Sequence, residues 1–182
     1  MDANTLVASL QEAVPAAQIE SVPSRDLHAT VYVSSAELLP VARVLRDRPE
    51  LGFDLLADLV AVDLWPQEPR FELAYILVST AKRHRLRLKV RLAGQSAHVA
   101  TVIGVWPAAN WLEREVWDLF GIAFDGHPDP RRLLMPEDWD GFPLRKDYPV
   151  QIRMTPNSSE ALQVTEEEFR SNLMKDRLTR GR

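Results

Sequence analysis

Two neighbouring runs of apolar residues constrain the fold of this chain more than any other feature of its sequence. Phe71–Ser79 and Arg85–Leu92 are separated by the short polar segment Thr80–His84. Runs of this length and composition, joined by a polar turn, predict an antiparallel β-hairpin. In the second run apolar and basic residues alternate, and successive side chains of a strand point to opposite faces. The predicted buried set is Leu86, Leu88, Val90 and Leu92, and the predicted cationic set is Arg85, Arg87, Lys89 and Arg91.

The segments around the hairpin predict a mixture of helices and strands. Leu51–Asp63 has leucines at helical spacing but also suits a buried strand, so both alternatives remain open. The other predicted elements are a helix over Thr5–Ala13, a strand over Ala29–Val33, a helix over Ala36–Asp47 with Ser35 as its N-cap, and a run over Val99–Val105 that extends the sheet. This order predicts an α+β fold with a small mixed or antiparallel sheet flanked by helices.

The sequence changes character at Trp111. Trp111–Phe120 predicts a helix with an apolar stripe, and Gly121 follows where a left-handed C-cap residue is expected. Six of the chain's 13 prolines fall within Pro128–Pro156, which predicts an extended segment with little regular structure. A terminal helix is predicted over Glu166–Leu178. We therefore divide the chain into an α+β domain, residues 1–125, and an extended partner-docking segment with the terminal helix, residues 126–182, which we call the strap.

The composition argues against several functional classes. The chain has no cysteine, so it offers no thiolate for an iron–sulfur cluster, a disulfide or nucleophilic catalysis. No glycine-rich loop has the spacing that binds a dinucleotide or ATP. A net charge of −4 is unlike that of a general nucleic-acid binder. The first twenty residues do not resemble a secretory signal, and no apolar run has the length of a spanning helix, so we expect a soluble protein.

The remaining polar residues predict structural roles more readily than catalysis. The four histidines are not spaced as zinc ligands, and His127 in its turn is expected to make a structural hydrogen bond. Glu113 and Glu115 face different directions on a helix, so they cannot act on one substrate atom, whereas Arg114 and Asp118 can pair along its surface. The cationic strand face has two interpretations. The first is that it binds a phosphate backbone. The second, which the negative net charge favours, is that the face is solvated or contacts an acidic protein.

The residues from the predicted helix onward closely resemble the signature of the complex I C subunit, the thirty-kilodalton subunit family. The matching blocks are Glu113–Ile122, Phe124, Gly126–Asp129, Arg131–Leu134, Pro136–Trp139 and Gly141–Pro149. A weaker resemblance extends upstream through Asp58–Asp63, Phe71–Leu92 and Val105–Trp111. One departure is Pro130, where the family commonly has leucine; proline removes a backbone donor there and restricts Asp129.

The resemblance implies a non-catalytic structural subunit in the peripheral arm of NADH:quinone oxidoreductase, which transfers electrons from NADH to quinone and couples this to proton translocation. It implies no cofactor in this chain, with flavin and iron–sulfur clusters in partner subunits. The implied partners are the D subunit, which forms the quinone site, and the neighbouring B and I subunits, at the cytoplasmic face of a bacterial inner membrane. An alternative is the equivalent subunit of a membrane-bound, energy-converting hydrogenase-type complex.

The charged residues within and beside the signature are hypothesised to bind these partners. They are Glu113, Arg114, Glu115, Asp118, Arg131, Arg132, Arg145, Lys146 and Asp147.

The missing cysteines and nucleotide loops lead to a first prediction. We expect the purified chain to show no visible absorption band and to contain no stoichiometric iron, zinc or flavin, because it has no common ligand set for any of them. Absorption spectroscopy and metal analysis after gentle purification measure this. A stoichiometric redox centre would contradict the prediction.

Overall fold

The computed structural model describes residues 3–24, 28–94 and 97–149. The predicted helix over Glu166–Leu178 and the rest of the strap from Val150 lie outside the described residues. Met1–Tyr148 form one compact unit, so the described strap up to Tyr148 belongs to the same unit as the residues before it. The docking role given to residues 126–182 stays a prediction.

The described part of the chain contains ten helices and strands. In order they are α1 (Ala3–Ala13), β1 (Ile19–Val22), β2 (Ala29–Val33), α2 (Leu38–Asp47), β3 (Leu55–Asp63), β4 (Phe71–Ser79), β5 (His84–Leu92), β6 (His98–Ala100), α3 (Ala109–Phe120) and β7 (Ala123–Asp125). The predicted α+β class is confirmed, as is the hairpin, which forms β4 and β5. Within the described ranges, no helix is both long and apolar enough to cross a bilayer.

The main sheet has five strands in the order β1-β2-β5-β4-β3. Strands β2 and β5 pair in parallel and the other neighbours pair antiparallel, so the sheet is mixed. Its inner face carries the predicted buried set of β5 together with Phe71, Leu73, Tyr75 and Leu77 of β4, and the helices pack their buried side chains onto this face in one core. The opposite face, which we call the outer face, carries the cationic residues of β5, as the alternation predicts.

The ambiguous segment Leu51–Asp63 forms strand β3 from Leu55 onward. A bulge between Leu56 and Asp58 inserts one extra residue opposite β4. Because of this extra residue, Leu56 and Leu59 both reach the inner face although they are three positions apart. The bulge therefore explains why the sequence has helical spacing within a strand.

Two predictions about local structure are wrong. Val99–Val105 does not extend the main sheet: its first two residues belong to β6, which pairs in parallel with β7 as a separate two-stranded sheet. The residues after Ala100 turn instead, because a carboxylate of α3 accepts their hydrogen bonds. Ser35 does not cap α2. That helix begins at Leu38 without a side-chain cap, which places Pro40 in its first turn, where proline is tolerated.

Helix α3 and its end agree with the sequence. Gly121 adopts the predicted left-handed conformation with φ of 70°, and its N–H donates to Trp117 O. The strap crosses this glycine closely: a Cβ there would lie 2.6 Å from Arg145 Nη2 and closer still to Phe142 Cε2. Glycine is therefore required by the backbone conformation and by the contact with the strap.

Replacing this glycine tests the contact. We expect Gly121→Ala to lower the free energy of unfolding by about 2 kcal/mol or more, because both the positive φ and the collision cost energy. Gly104→Ala is the matched control, since a Cβ at Gly104 has no atom within 4 Å and we expect a change well under about 1 kcal/mol there. Urea unfolding measures both, and equal stability of the two variants would contradict the prediction.

Candidate functional site

The described strap is held against α3 by a buried carboxylate. Asp118 is fully buried, and its Oδ2 accepts hydrogen bonds from three consecutive N–H groups, those of Leu133 (3.0 Å), Leu134 (2.7 Å) and Met135 (2.8 Å). Its Oδ1 accepts from Arg132 Nη1 at 2.7 Å. Burial alone raises the pKa of Asp118, but these hydrogen bonds outweigh it and the pKa is lowered. The ionised carboxylate therefore supplies the hydrogen bonds that an irregular backbone lacks.

Arg132 extends this anchor along the strap. Its Nη2 donates to Trp139 O at 2.8 Å and to Gly141 O at 3.2 Å. Its guanidinium also lies 5.7 Å from the ring centroid of Trp117 and 5.8 Å from that of Phe142. One arginine thus joins the helix to two successive parts of the strap.

A second anchor lies at the end of the described strap. Arg70 is fully buried and makes two bidentate pairs, with Asp63 at 2.8 and 3.0 Å and with Asp147 at 2.8 and 3.0 Å. Asp63 also accepts from the N–H of Lys146 at 2.9 Å. Burial opposes the ionisation of Asp63, but the bonds from Arg70 and the backbone lower its pKa to about 2. This network fixes the strap to the ends of β3 and β4.

Arg145 caps the last turn of α3. Its guanidinium donates to the carbonyl groups of Phe120 and Gly121 and lies 4.6 Å from the ring centroid of Phe142. A cation at this position complements the carbonyl groups that a helix leaves without partners at its C-terminus. Burial, followed by the nearby charge of Arg70, lowers the pKa of Arg145.

Glu113 is a fully buried carboxyl group on the inner side of α3. It accepts from Thr101 Oγ1 at 2.5 Å and from the N–H of Val102 at 2.8 Å, and so fixes the turn after β6. Burial raises its pKa to about 7, against the opposing effect of these two hydrogen bonds. The Tyr75 hydroxyl is buried, has no hydrogen-bond partner among the described residues, and has its pKa raised by burial and then by the charge of Glu113.

The structure separates the nine hypothesised partner-binding residues into two groups. The polar atoms of the first group bond within the chain: Glu113, Asp118, Arg132, Arg145 and Asp147 as above, and Arg114, which donates to Arg131 O and Arg132 O. The expected pairing of Arg114 with Asp118 is wrong, because Asp118 pairs with Arg132. Glu115, Arg131 and Lys146 have exposed side chains, and Arg131 pairs with Asp129 on the surface. For all nine residues a partner-binding role stays a prediction.

His127 has the structural role predicted for it. Its Nδ1 accepts from the N–H of Asp129 at 3.0 Å, so its Nε2 carries the proton and donates to Asn110 O at 3.2 Å. No group of histidine and carboxylate side chains within the described ranges has the arrangement of a metal site.

Sequence reasoning missed Arg70, the centre of the second anchor. It follows a proline in a charged turn, and its partner Asp147 is 77 positions away. No periodicity marks such a residue. Only its pairing in the fold with Asp63, seven positions before it, and with the distant Asp147 identifies it.

Comparison with known proteins shows which family this chain is similar to. The family model "Respiratory-chain NADH dehydrogenase, 30 Kd subunit" matches residues 31–153. The chain is 48% identical over 151 residues to the C subunit of NADH-quinone oxidoreductase from Roseiflexus castenholzii, covering 82% of this chain and 86% of the relative. It is 43% identical over 143 residues to the C 2 subunit of the same oxidoreductase from Rhizobium meliloti, covering 77% and 78%.

Two solved structures are similar in fold. A trypsin-resistant fragment of Nqo5 superposes with a TM-score of 0.56 at 32% identity, covering 68% of this chain and 98% of the fragment. A chain of the membrane-bound sulfane sulfur reductase, an archaeal respiratory membrane complex, superposes with a TM-score of 0.68 at 28% identity, covering 81% and 85%.

The raised pKa of Glu113 predicts a pH-dependent stability. Between the unfolded value of 4.5 and the folded value of about 7, the folded chain holds a proton that the unfolded chain has lost. Stability from this group is therefore present below pH 4.5 and is lost as the pH rises to about 7. Glu113→Gln mimics the protonated group, so the free energy of unfolding of the variant minus that of the wild type should rise across this window, by up to roughly 3 kcal/mol. Urea unfolding from pH 4 to 8 measures it, and a flat difference would contradict the prediction.

Proposed function

Because the chain belongs to the 30-kDa subunit family of respiratory-chain NADH dehydrogenase, we propose that it is a non-catalytic structural subunit of the peripheral arm of NADH:quinone oxidoreductase. In this role it contributes a shaped protein surface, and electron transfer from NADH to quinone takes place on other subunits. We place it against the D subunit, which forms the quinone site, with the B and I subunits as neighbours, on the cytoplasmic face of the inner membrane.

The observation that carries the proposal is the extent of the similarity. Identities of 48% and 43% cover 82% and 77% of the chain, and both relatives are C subunits of NADH-quinone oxidoreductase. The match of the family model to residues 31–153 includes α2, β3 to β7, α3 and the described strap. Those elements include the ones that the two anchors join.

The chemistry of the anchors supports a structural role. Asp118, Asp63 and Arg70 are fully or almost fully buried and each bonds to residues of the described strap, so they present no reactive group to a substrate. Burial of charge is costly unless the partners are well placed, and each of these groups has several. The anchors thus hold an irregular segment in one conformation, which is what a preformed docking surface requires.

Several apolar side chains on α3 and the strap remain exposed. Trp111 is 58% exposed, Leu134 is 59% exposed and Leu144 is 51% exposed. Single exposed apolar residues are common, but large ones on one irregular segment beside one helix are typical of an interaction surface. We expect contacts with the D subunit to include these three residues.

A second candidate function follows from the similarity to the sulfane sulfur reductase chain. The reductase chain is 28% identical to this chain, whereas the Roseiflexus relative is 48% identical. The alternative is therefore supported less strongly than the role in NADH:quinone oxidoreductase. In that case the chain has the same structural role in a hydrogenase-type, energy-converting membrane complex with a different electron donor.

Isolation of the assembled complex distinguishes these functions. The full chain, carrying an affinity tag, is purified from membranes in mild detergent, and the co-purifying proteins are identified by mass spectrometry. We expect the D, B and I subunits in stoichiometric amounts and NADH-dependent quinone reduction in the purified complex. Co-purification of hydrogenase-type subunits without NADH activity would support the alternative, and recovery of the chain alone would contradict both.

Charge reversal at an exposed strap residue sharpens this test. Arg131 is 72% exposed, and a surface ion pair such as the one that it makes with Asp129 contributes little to stability, so Arg131→Glu should leave the isolated chain folded. We expect it to lower recovery of the complex about tenfold, since a cation at an interface stabilises a complex through its partner's charge. Arg43→Glu, on the exposed side of α2, is the control and should assemble normally. Arg145 is unsuitable for this purpose, because its guanidinium bonds to the end of α3.

A further inference from the structure

The outer face of the main sheet carries two adjacent stripes of different chemistry. Cross-strand register aligns Leu55 with Val78 and Val78 with Arg85, and aligns Val60 with Ala74 and Ala74 with Lys89. An apolar stripe therefore runs along β3 and β4 beside a cationic stripe along β5. The apolar residues of this stripe are Leu55, Val60, Val62, Ala74, Ile76 and Val78. Two carboxylates lie on the same face, Asp58 opposite Ile76 and Glu72 opposite Val62. The cationic stripe consists of Arg85, Arg87, Lys89 and Arg91.

The apolar stripe is unusual for a sheet face that is exposed in the isolated chain. The buried side chains of the three helices join the inner face in one core, and this core does not include Ala74 of the outer face. On β3, Leu55 is 43% exposed, Val60 is 42% exposed and Val62 is 40% exposed. The solvent face of an antiparallel sheet is normally polar. Exposed apolar residues grouped on such a face are typical of a surface that a partner covers.

The charge of the cationic stripe is not uniform along its length. At one end, Lys89 Nζ bonds to Glu72 Oε1 at 2.6 Å, and the Arg91 guanidinium lies 4.0 Å from the ring centroid of Tyr32. At the other end, Arg85 is exposed and makes no ion pair with any residue that the structure describes. It lies directly beside Val78 in register. A carboxylate is therefore best accommodated at the Arg85 end, next to the apolar stripe.

We propose that the outer face docks an acidic, amphipathic segment of a neighbouring subunit, with apolar side chains on Val60, Val62 and Ile76 and a carboxylate at Arg85. The inference rests on the proposed function, because it requires that the chain is assembled with other subunits. The positive stripe on a chain of net charge −4 selects an acidic occupant over a basic or neutral one.

The size of the face argues against a second copy of this chain as the occupant. Three nine-residue strands, at about 3.3 Å per residue and about 4.8 Å between strands, present on the order of 400 Å². A stable independent pair of proteins buries about 800 Å² on each partner. A face of this area suits one contact within a larger assembly.

Two pairs of variants, made in the chain expressed for assembly in the membrane complex, test the proposal. Val60→Lys places a charge within the apolar stripe, while Val60→Ile keeps the stripe apolar. Arg85→Glu reverses the charge of the residue that is proposed to pair with the occupant's carboxylate, while Arg43→Glu makes the same change on α2. We expect the first variant of each pair to reduce recovery of the chain with the complex about tenfold at physiological salt, and each control to be recovered like the wild type. Melting temperatures of the isolated variants separate lost docking from lost folding.

A photoreactive benzoylphenylalanine at position 62 of the otherwise unchanged chain identifies the occupant in the purified complex. We expect a cross-link to a peptide of another subunit with carboxylate residues next to apolar ones. A cross-link to residues 150–182 of the same chain, or to a second copy, would overturn the proposal. So would wild-type recovery of both Val60→Lys and Arg85→Glu. If the wild-type chain itself did not co-purify with other subunits, the proposed function would fail first, and this distinguishes the two failures.

Discussion

The described strap depends on buried charges that replace the hydrogen bonds of regular structure. A proline-rich backbone cannot form a helix or a sheet ladder, yet its N–H groups still need acceptors where they leave water. Asp118 provides one acceptor for three successive N–H groups, and Arg132 provides donors for two carbonyl groups further along. At the other end Asp63 accepts from Lys146 N. The conformation of the described strap thus follows from side chains on α3 and β3, from Arg70 just before β4, and from Arg132 of the strap itself.

These anchors also explain why α3 differs from an ordinary amphipathic helix. Glu113 and Asp118 are both fully buried on it, but their environments differ. Asp118 has an arginine and three N–H donors, and its pKa is lowered; Glu113 has a hydroxyl and one N–H, and burial raises its pKa to about 7. One helix therefore carries a carboxylate that stays ionised and another that titrates near neutral pH. Both act on the conformation of neighbouring segments.

The two surfaces assigned to partners have different origins. Exposed apolar residues of α3 and the strap lie on a segment held rigid by ion pairs, so this surface exists before any partner arrives. The outer face of the sheet arises because all three helices pack on the inner face, which leaves Val60 and its neighbours on β3 exposed. A protein with two such surfaces can contact more than one neighbour, in keeping with a structural role inside a large complex.

The sequence by itself determined the features that rest on local pattern. Alternation of apolar and basic residues defined β5 and its cationic face, and a glycine after an apolar stripe defined the end of α3. The motif from Glu113 to Pro149 identified the family, because its residues are uncommon and ordered. Tertiary structure alone decided which charges are buried. Asp118 and Glu113 look like surface residues in a helical pattern, and Arg70 lies 77 positions from Asp147. Pairing over such distances depends on how the strap packs against the sheet, which no periodicity of the sequence records. The same physical reason placed β6 with β7 rather than in the main sheet: a carboxylate on α3 holds the intervening turn.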